Sequence, residues 1–181
     1  MLRDFAEDRA FIARQCAPRA CKASRMGPTI AWERGVMFKN RKEIYVKWGD
    51  CGPGGDMHFS RYLDYSASCT DALLLRAGLS SPQMLKTYAI AGIPIVELRA
   101  QVLALCQFGD TIVAESSVSE WGNTSFVVHH KILKGDVLAA EFFEKHLWAA
   151  REEGMAARFN GKAIPPEVKD RLSGSALGGR N

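Results

Sequence analysis

Asp50, Asp56 and His58 lie close together in the stretch WGDCGPGGDMHF that begins at Trp48, and all three are of types that serve as general acids or bases. The residues between them are mostly Gly and Pro, so the backbone can turn tightly and approach a ligand with few side chains in the way. From Phe59 the pattern changes to a period of 3.6, the mark of an amphipathic helix. A helix that starts beside a glycine-rich loop leaves unpaired N–H groups and a partial positive charge facing that loop. Such a place stabilises an anion or a developing oxyanion.

Each of these residues also has an ordinary role open to it. Asp in a turn commonly holds the loop through hydrogen bonds to its N–H groups, which suits Asp50. Asp56, just ahead of the helix, is placed favourably in the way any first-turn acid is. His58 fits a proton donor, an oxyanion partner or an N-cap neighbour equally well. Asp64 falls on the polar side of the helix with Asp71 one heptad on, which favours a solvated or interface-facing role. His129 and His130 are adjacent in a strand pattern, so they point to opposite faces and cannot share one metal. Cys51 and Cys69 have no His or acid at a motif spacing and read as structural thiols.

Those residues need a scaffold. The helix carries Phe59, Tyr62, Leu63, Thr70, Leu73, Leu74 and Ala77 on one side and Arg61, Asp64, Ser68, Asp71 and Leu75 on the other. Gly78 stands where a C′ glycine would, giving about 18 residues and roughly 27 Å of helix. Ahead of the loop, residues 43–48 (EIYVKW) read as a strand. After a break at Ser80-Ser81-Pro82, four strands are expected at residues 93–107, 111–120, 124–133 and 137–148, joined by the turns FGD, WGN and KGD. Read this way the fold is α+β: an antiparallel meander whose apolar face is covered by the one long helix. A short helix at about residues 167–172 and a frayed Gly/Ser-rich tail at 173–181 close the chain.

A chain of 181 residues, 47% hydrophobic and 24% charged, is long enough for one domain with a real core and is neither disordered nor fibrous. Residues 1–36 hold seven basic against four acidic side chains, so they carry +3 of the net charge of +4. They read as a basic extension, loosely ordered or docked. The body, residues 37–172, is almost neutral, which argues against a nucleic-acid surface. No apolar run is long enough for a membrane span or signal peptide, and five scattered cysteines suit reduced thiols, so the expectation is a cytosolic protein. Cys16 and Cys21 supply only two of the four ligands a zinc site needs and read as free thiols.

WGDCGPGG before an aromatic-rich helix start, then GIPIVELRAQ, SEWGNTSFVVHHKI and KAIPPEVKDRL, occur in an order and spacing that resembles the 4-hydroxybenzoyl-CoA thioesterase family of hotdog-fold enzymes, over about residues 42–172. The resemblance implies a sheet wrapped around a central helix and hydrolysis of a small or aromatic acyl-CoA. It implies no metal and no cofactor beyond coenzyme A as part of the substrate. It also implies a homodimer, often paired into a tetramer, with active sites between subunits. The family motif is Asp-x-Asp-Pro-x-Gly, whose second Asp is the nucleophile or general base. Here the first acid is Asp50 and the second position is Gly52, which can neither attack a carbonyl nor activate water. The Phe59 N–H corresponds to the donor that polarises the thioester carbonyl. Asp56, in the same loop, is the first substitute for the missing carboxylate, with His58, Asp50 and Asp64 behind it.

By the same resemblance, substrate and CoA contacts fall to Trp48, Gly52, Gly55, Pro94, Asn123, Thr124, Ser125 and Lys131. The segment Gly122-Asn123-Thr124 lacks the basic residues with which well-known members hold the CoA phosphates, and Lys131 and Lys134 are the nearby cations. Gly52 keeps open a second reading, a hotdog protein that binds an acyl thioester or another aromatic ligand without hydrolysing it. A dehydratase or isomerase would need a His/Glu or His/Asp pair across the subunit interface.

Overall fold

The computed structural model describes residues 38–151 and 159–174. The basic extension with Cys16 and Cys21, and most of the Gly/Ser-rich tail, lie outside the described residues. In chain order the elements are β1 (Lys39–Tyr45), a 3-10 turn (Trp48–Asp50), α1 (Phe59–Arg76), α2 (Ser81–Tyr88), β2 (Ile95–Val102), β3 (Thr111–Trp121), β4 (Ser125–Lys134), β5 (Val137–Leu147), β6 (Ala149–Arg151), β7 (Phe159–Gly161) and α3 (Pro166–Ser173). The first five strands form one antiparallel sheet in the order β1-β3-β4-β5-β2, and β6 pairs with β7. With α1 laid across this sheet, the arrangement is the hotdog fold that the sequence resemblance implies.

The central helix runs over 18 residues, as its periodicity requires. It ends in a Schellman motif: Gly78, at φ +72°, donates to the Leu75 carbonyl, and Leu79 donates to that of Leu74. Tyr62, Ser66, Cys69, Thr70, Leu73 and Leu74 are its buried residues. Phe59, expected on the buried face, is instead half exposed, because it lies at the helix's first turn, beyond the edge of the core. Leu73 and Leu74 pack with Val118, Phe126, Val128 and Trp148 in one apolar cluster, while Tyr62 and Cys69 pack with Ile44, Ile112, Ile132 and Phe142 in another. Emptying the first cluster by Leu73→Ala would cost about 2–5 kcal/mol.

The chain departs from the simple meander at β2. Only β3, β4 and β5 follow one another as neighbours, and β2 pairs with β5 at the far edge instead of with β3. The strand expected over residues 93–107 stops at Val102 because the chain then crosses the end of the sheet. Leu103 and Ala104 donate to the Ala139 carbonyl, and the Cys106 carbonyl accepts from Met57. This crossing segment lies against the glycine-rich loop. Strand β1 begins at Lys39, four residues earlier than expected, through a polar segment with no alternating signal, and ends at Tyr45. The Ser80-Ser81-Pro82 break is the start of α2, with Ser80 at the N-cap and proline in the first turn. Met84 of α2 and Val168 and Leu172 of α3 join the core, so α1 shares the covering of the sheet.

Candidate active site

The loop after the 3-10 turn is a small hairpin. Gly52 donates to the Asp56 carbonyl, His58 donates to that of Asp50, and Gly55, at φ +84°, closes the turn by donating to Gly52. Cys51 and Met57 face one another across it and turn toward the core. By alternation Asp50, Gly52, Asp56 and His58 share the other side. The crossing segment braces the hairpin, with Phe108 donating to the Gly55 carbonyl and Asp56 bridged to Gln107.

Asp50 holds this loop in place, as its turn position suggests. Its carboxylate accepts from the Lys47 N–H at 2.9 Å and the Tyr65 hydroxyl at 2.6 Å, and Arg61 lies 3.4 Å away. Burial alone would push the Asp50 carboxyl up, but the Tyr65 and Lys47 hydrogen bonds and the Arg61 charge outweigh it and hold the group below its ordinary value. Burial and the same carboxylate push the Tyr65 hydroxyl up to about 12. Asp64 is exposed and paired with Arg61 at 3.0 Å. Asp56 accepts from the Gln107 side chain at 3.0 Å.

Gly52 is not in the left-handed region, so its lack of a side chain is not a demand of the backbone. The three heavy atoms nearest to where its Cβ would stand are all in the His58 ring, with Cε1 at 3.2 Å. The imidazole, and not the Asp56 carboxylate, lies closest to the vacant position. His58 is the N-cap of α1 but makes no side-chain capping bond. Among the described residues the Phe59 and Ser60 N–H groups have no acceptor, as is usual in the first turn of a helix. Exposed Trp48 meets Phe108 edge to face at 5.5 Å beside the hairpin.

The other predicted contacts are not brought to this place within one subunit. Ser125 pairs with Leu147, which donates to the Pro94 carbonyl, so Pro94, Asn123, Thr124 and Ser125 sit at the opposite end of the sheet from the hairpin. Strand β3 spans that distance with 11 residues, about 35 Å at roughly 3.3 Å each. Lys131 is exposed between Glu115 and Glu141 on neighbouring strands, and Lys134 is bound to Asp110 at 2.6 Å.

Between the two apolar clusters lies a buried polar layer that sequence reasoning missed. The Glu144 carboxylate accepts from Ser66 at 2.5 Å and Thr70 at 3.0 Å, and the Nε2 atoms of His130 and His146 lie 3.3 Å from it. Ser116 engages His130 Nδ1 at 2.8 Å, and His146 Nδ1 donates to the Ile93 carbonyl. Burial works against the Glu144 charge, yet bonds from both histidines and Ser66 hold its carboxyl far below the ordinary range. The adjacent His129 points the other way, bonded to Glu141 and stacked on Phe143. The signal was Ser66 and Thr70, four apart on an otherwise apolar stripe, facing inward polar residues on β4 and β5. Burial also raises the Cys51, Cys69 and Cys106 thiols, which suits structural cysteines.

A long helix laid across an antiparallel sheet, with a glycine-rich hairpin delivering the chain to the helix start, defines a hotdog-fold protein. The family model described as the thioesterase-like superfamily matches residues 46–172, and the chain belongs to that family. The 4-hydroxybenzoyl-CoA thioesterase of Pseudomonas sp. (strain CBS-3) is 28% identical over 97 residues, covering 51% of this chain and 69% of the relative. The solved structure of a mutant 4-hydroxybenzoyl-CoA thioesterase complexed with 4-hydroxybenzoyl-CoA superposes with a TM-score of 0.68 at 20% identity, covering 75% of this chain and 99% of the other. A gentisyl-coenzyme A thioesterase superposes at 0.62 with 25% identity over 72% and 99% of the two chains.

Proposed function

We propose that the protein hydrolyses the thioester of a small or aromatic acyl-CoA. The observation that carries this reading is the unpaired Phe59 N–H at the start of α1, beside the glycine-rich hairpin, in a chain of the thioesterase-like family. A thioester oxygen accepting from that N–H gains negative charge as water adds, and the helix end stabilises it. Relatives named for 4-hydroxybenzoyl-CoA and gentisyl-CoA support an aromatic acyl group, and the exposed Trp48, Phe59 and Phe108 provide flat apolar surface near the hairpin. The reaction needs water and coenzyme A as part of the substrate, and no further cofactor.

The working unit is a homodimer, able to pair into a tetramer. Strand β2 supports this: it is an edge strand whose Ile95, Val96, Leu98 and Val102 are all exposed, an arrangement that invites pairing with a second copy. In such a dimer a neighbour's Asn123–Ser125 corner would reach the hairpin, which the chain's own corner, at the far end of its sheet, does not. Among the described residues no helix is long and apolar enough to cross a membrane. The three free thiols described suit the reducing cytoplasm.

A panel of aromatic, short and medium acyl-CoAs, followed by thiol release, tests the proposal, with the aromatic thioesters expected to be turned over fastest. Gly52 favours one rival, a protein that binds the thioester without cleaving it. Tight binding with no thiol release from any member of the panel would establish that rival.

A further inference from the structure

The chain has four histidines, and three of their rings are engaged: His129 by Glu141, His130 by Ser116 and Glu144, His146 by Ile93 and Glu144. Among the described residues, neither ring nitrogen of His58 has a hydrogen-bond partner. The same ring is exposed and stands over Gly52, with Cε1, Nε2 and Nδ1 at 3.2, 3.7 and 3.8 Å from where a Cβ would be. Gly52 needs no glycine for its backbone, and a side chain there would press on the imidazole. The residue that follows His58 supplies the unpaired Phe59 N–H. Vacant position, unpartnered imidazole and open helix N–H therefore meet at one corner of the hairpin.

We infer that His58 is the general base of the proposed thioester hydrolysis and that Gly52 is the space its ring requires. This inference rests on the thioesterase reading. A lone pair on an imidazole nitrogen takes a proton from water while the water oxygen bonds to the thioester carbon, and the resulting oxyanion is held by the Phe59 N–H. The C–S bond then breaks, and the CoA thiolate leaves with the proton returned from the imidazolium. The products are one carboxylic acid and one CoA thiol, with no group left on the protein. Asp56 is less suited, since one of its oxygens is already held by Gln107 and none of the atoms nearest to Gly52 is its own.

The test uses the full chain and the panel thioester that it hydrolyses fastest. His58→Gln should lower kcat by roughly 10²–10⁴-fold with KM changed only a few-fold, the usual loss for a general base. His58→Ala should regain part of its rate when imidazole is added to the buffer. The double variant His58→Ala/Gly52→Asp, which places a carboxylate in the emptied space, should be faster than His58→Ala alone. A His58→Gln enzyme at the wild-type rate would overturn the inference while leaving the thioesterase reading intact, more so if Asp56→Asn is slowed about 100-fold. A slow His58→Gln enzyme with no recovery by imidazole or by the added Asp would reduce His58 to a structural role. Wild type inert toward every thioester would overturn the proposed function itself and this inference with it.

Discussion

Replacing Glu144 by Gln removes the charge at the centre of the buried polar layer while keeping its shape. The carboxylate now takes contacts from Ser66, Thr70, His130 and His146 with its side chain nearly fully buried. A Gln oxygen turned toward Thr70 and the two rings keeps three acceptor contacts, and the amide can donate to Ser66. Four charge-assisted bonds become neutral ones, each weaker by roughly 1 kcal/mol, which predicts a loss of about 2–4 kcal/mol. For a chain of this size that is a fall in Tm of roughly 10 °C. Thermal or urea unfolding at neutral pH measures it, and a loss below about 1 kcal/mol would refute the claim that this charge is held by its partners. The acid limb gives a second reading. Because the folded-state value lies below the ordinary 4.5, the stabilisation is fully present above that value and is lost as pH falls through the lower one. The gap between wild type and Glu144→Gln should therefore close on acidification.

Tyr65→Phe deletes the 2.6 Å bond to Asp50 and should cost about 1.5–3 kcal/mol, read by denaturation, while raising KM through a looser hairpin. An unchanged stability and KM would mean that Arg61 and the Lys47 amide hold Asp50 without it. Light scattering at micromolar concentration should give a dimer or larger species, and Val96→Lys on the exposed edge of β2 should shift it toward monomer. A wild-type monomer would remove the intersubunit site. A chain begun at Met37 should fold and keep its activity, because residues 1–36 carry +3 of the net charge and little hydrophobic periodicity. An insoluble product would place part of the core in the extension.

Much of the scaffold was legible because its signals are local. The 3.6 period from Phe59 with Gly78 behind it marks α1, and alternating strands between glycine turns mark β3, β4 and β5. What was hidden depends on distant partners. Nothing in residues 93–107 says that the strand leaves the sheet at Val102 to brace the hairpin, since apolar residues continue through Leu103 and Leu105. The missing carboxylate at Gly52 was visible, but not the ring above it, because His58 reaches that space only through the hairpin's pairing. Likewise Arg61 and Tyr65, four apart on one helix face, reveal their common task only when Asp50 folds down against them. The gathering of Pro94 and Asn123–Ser125 at the far corner is a matter of sheet register that no motif spells out.

Turnover of an aromatic acyl-CoA in water enriched in oxygen-18 distinguishes cleavage by water of the carbonyl at the Phe59 helix end from binding without cleavage. Hydrolysis should give one CoA thiol and one carboxylic acid per thioester consumed, with a single labelled oxygen in each acid released. Thioester recovered intact and unlabelled from a tight complex would contradict it.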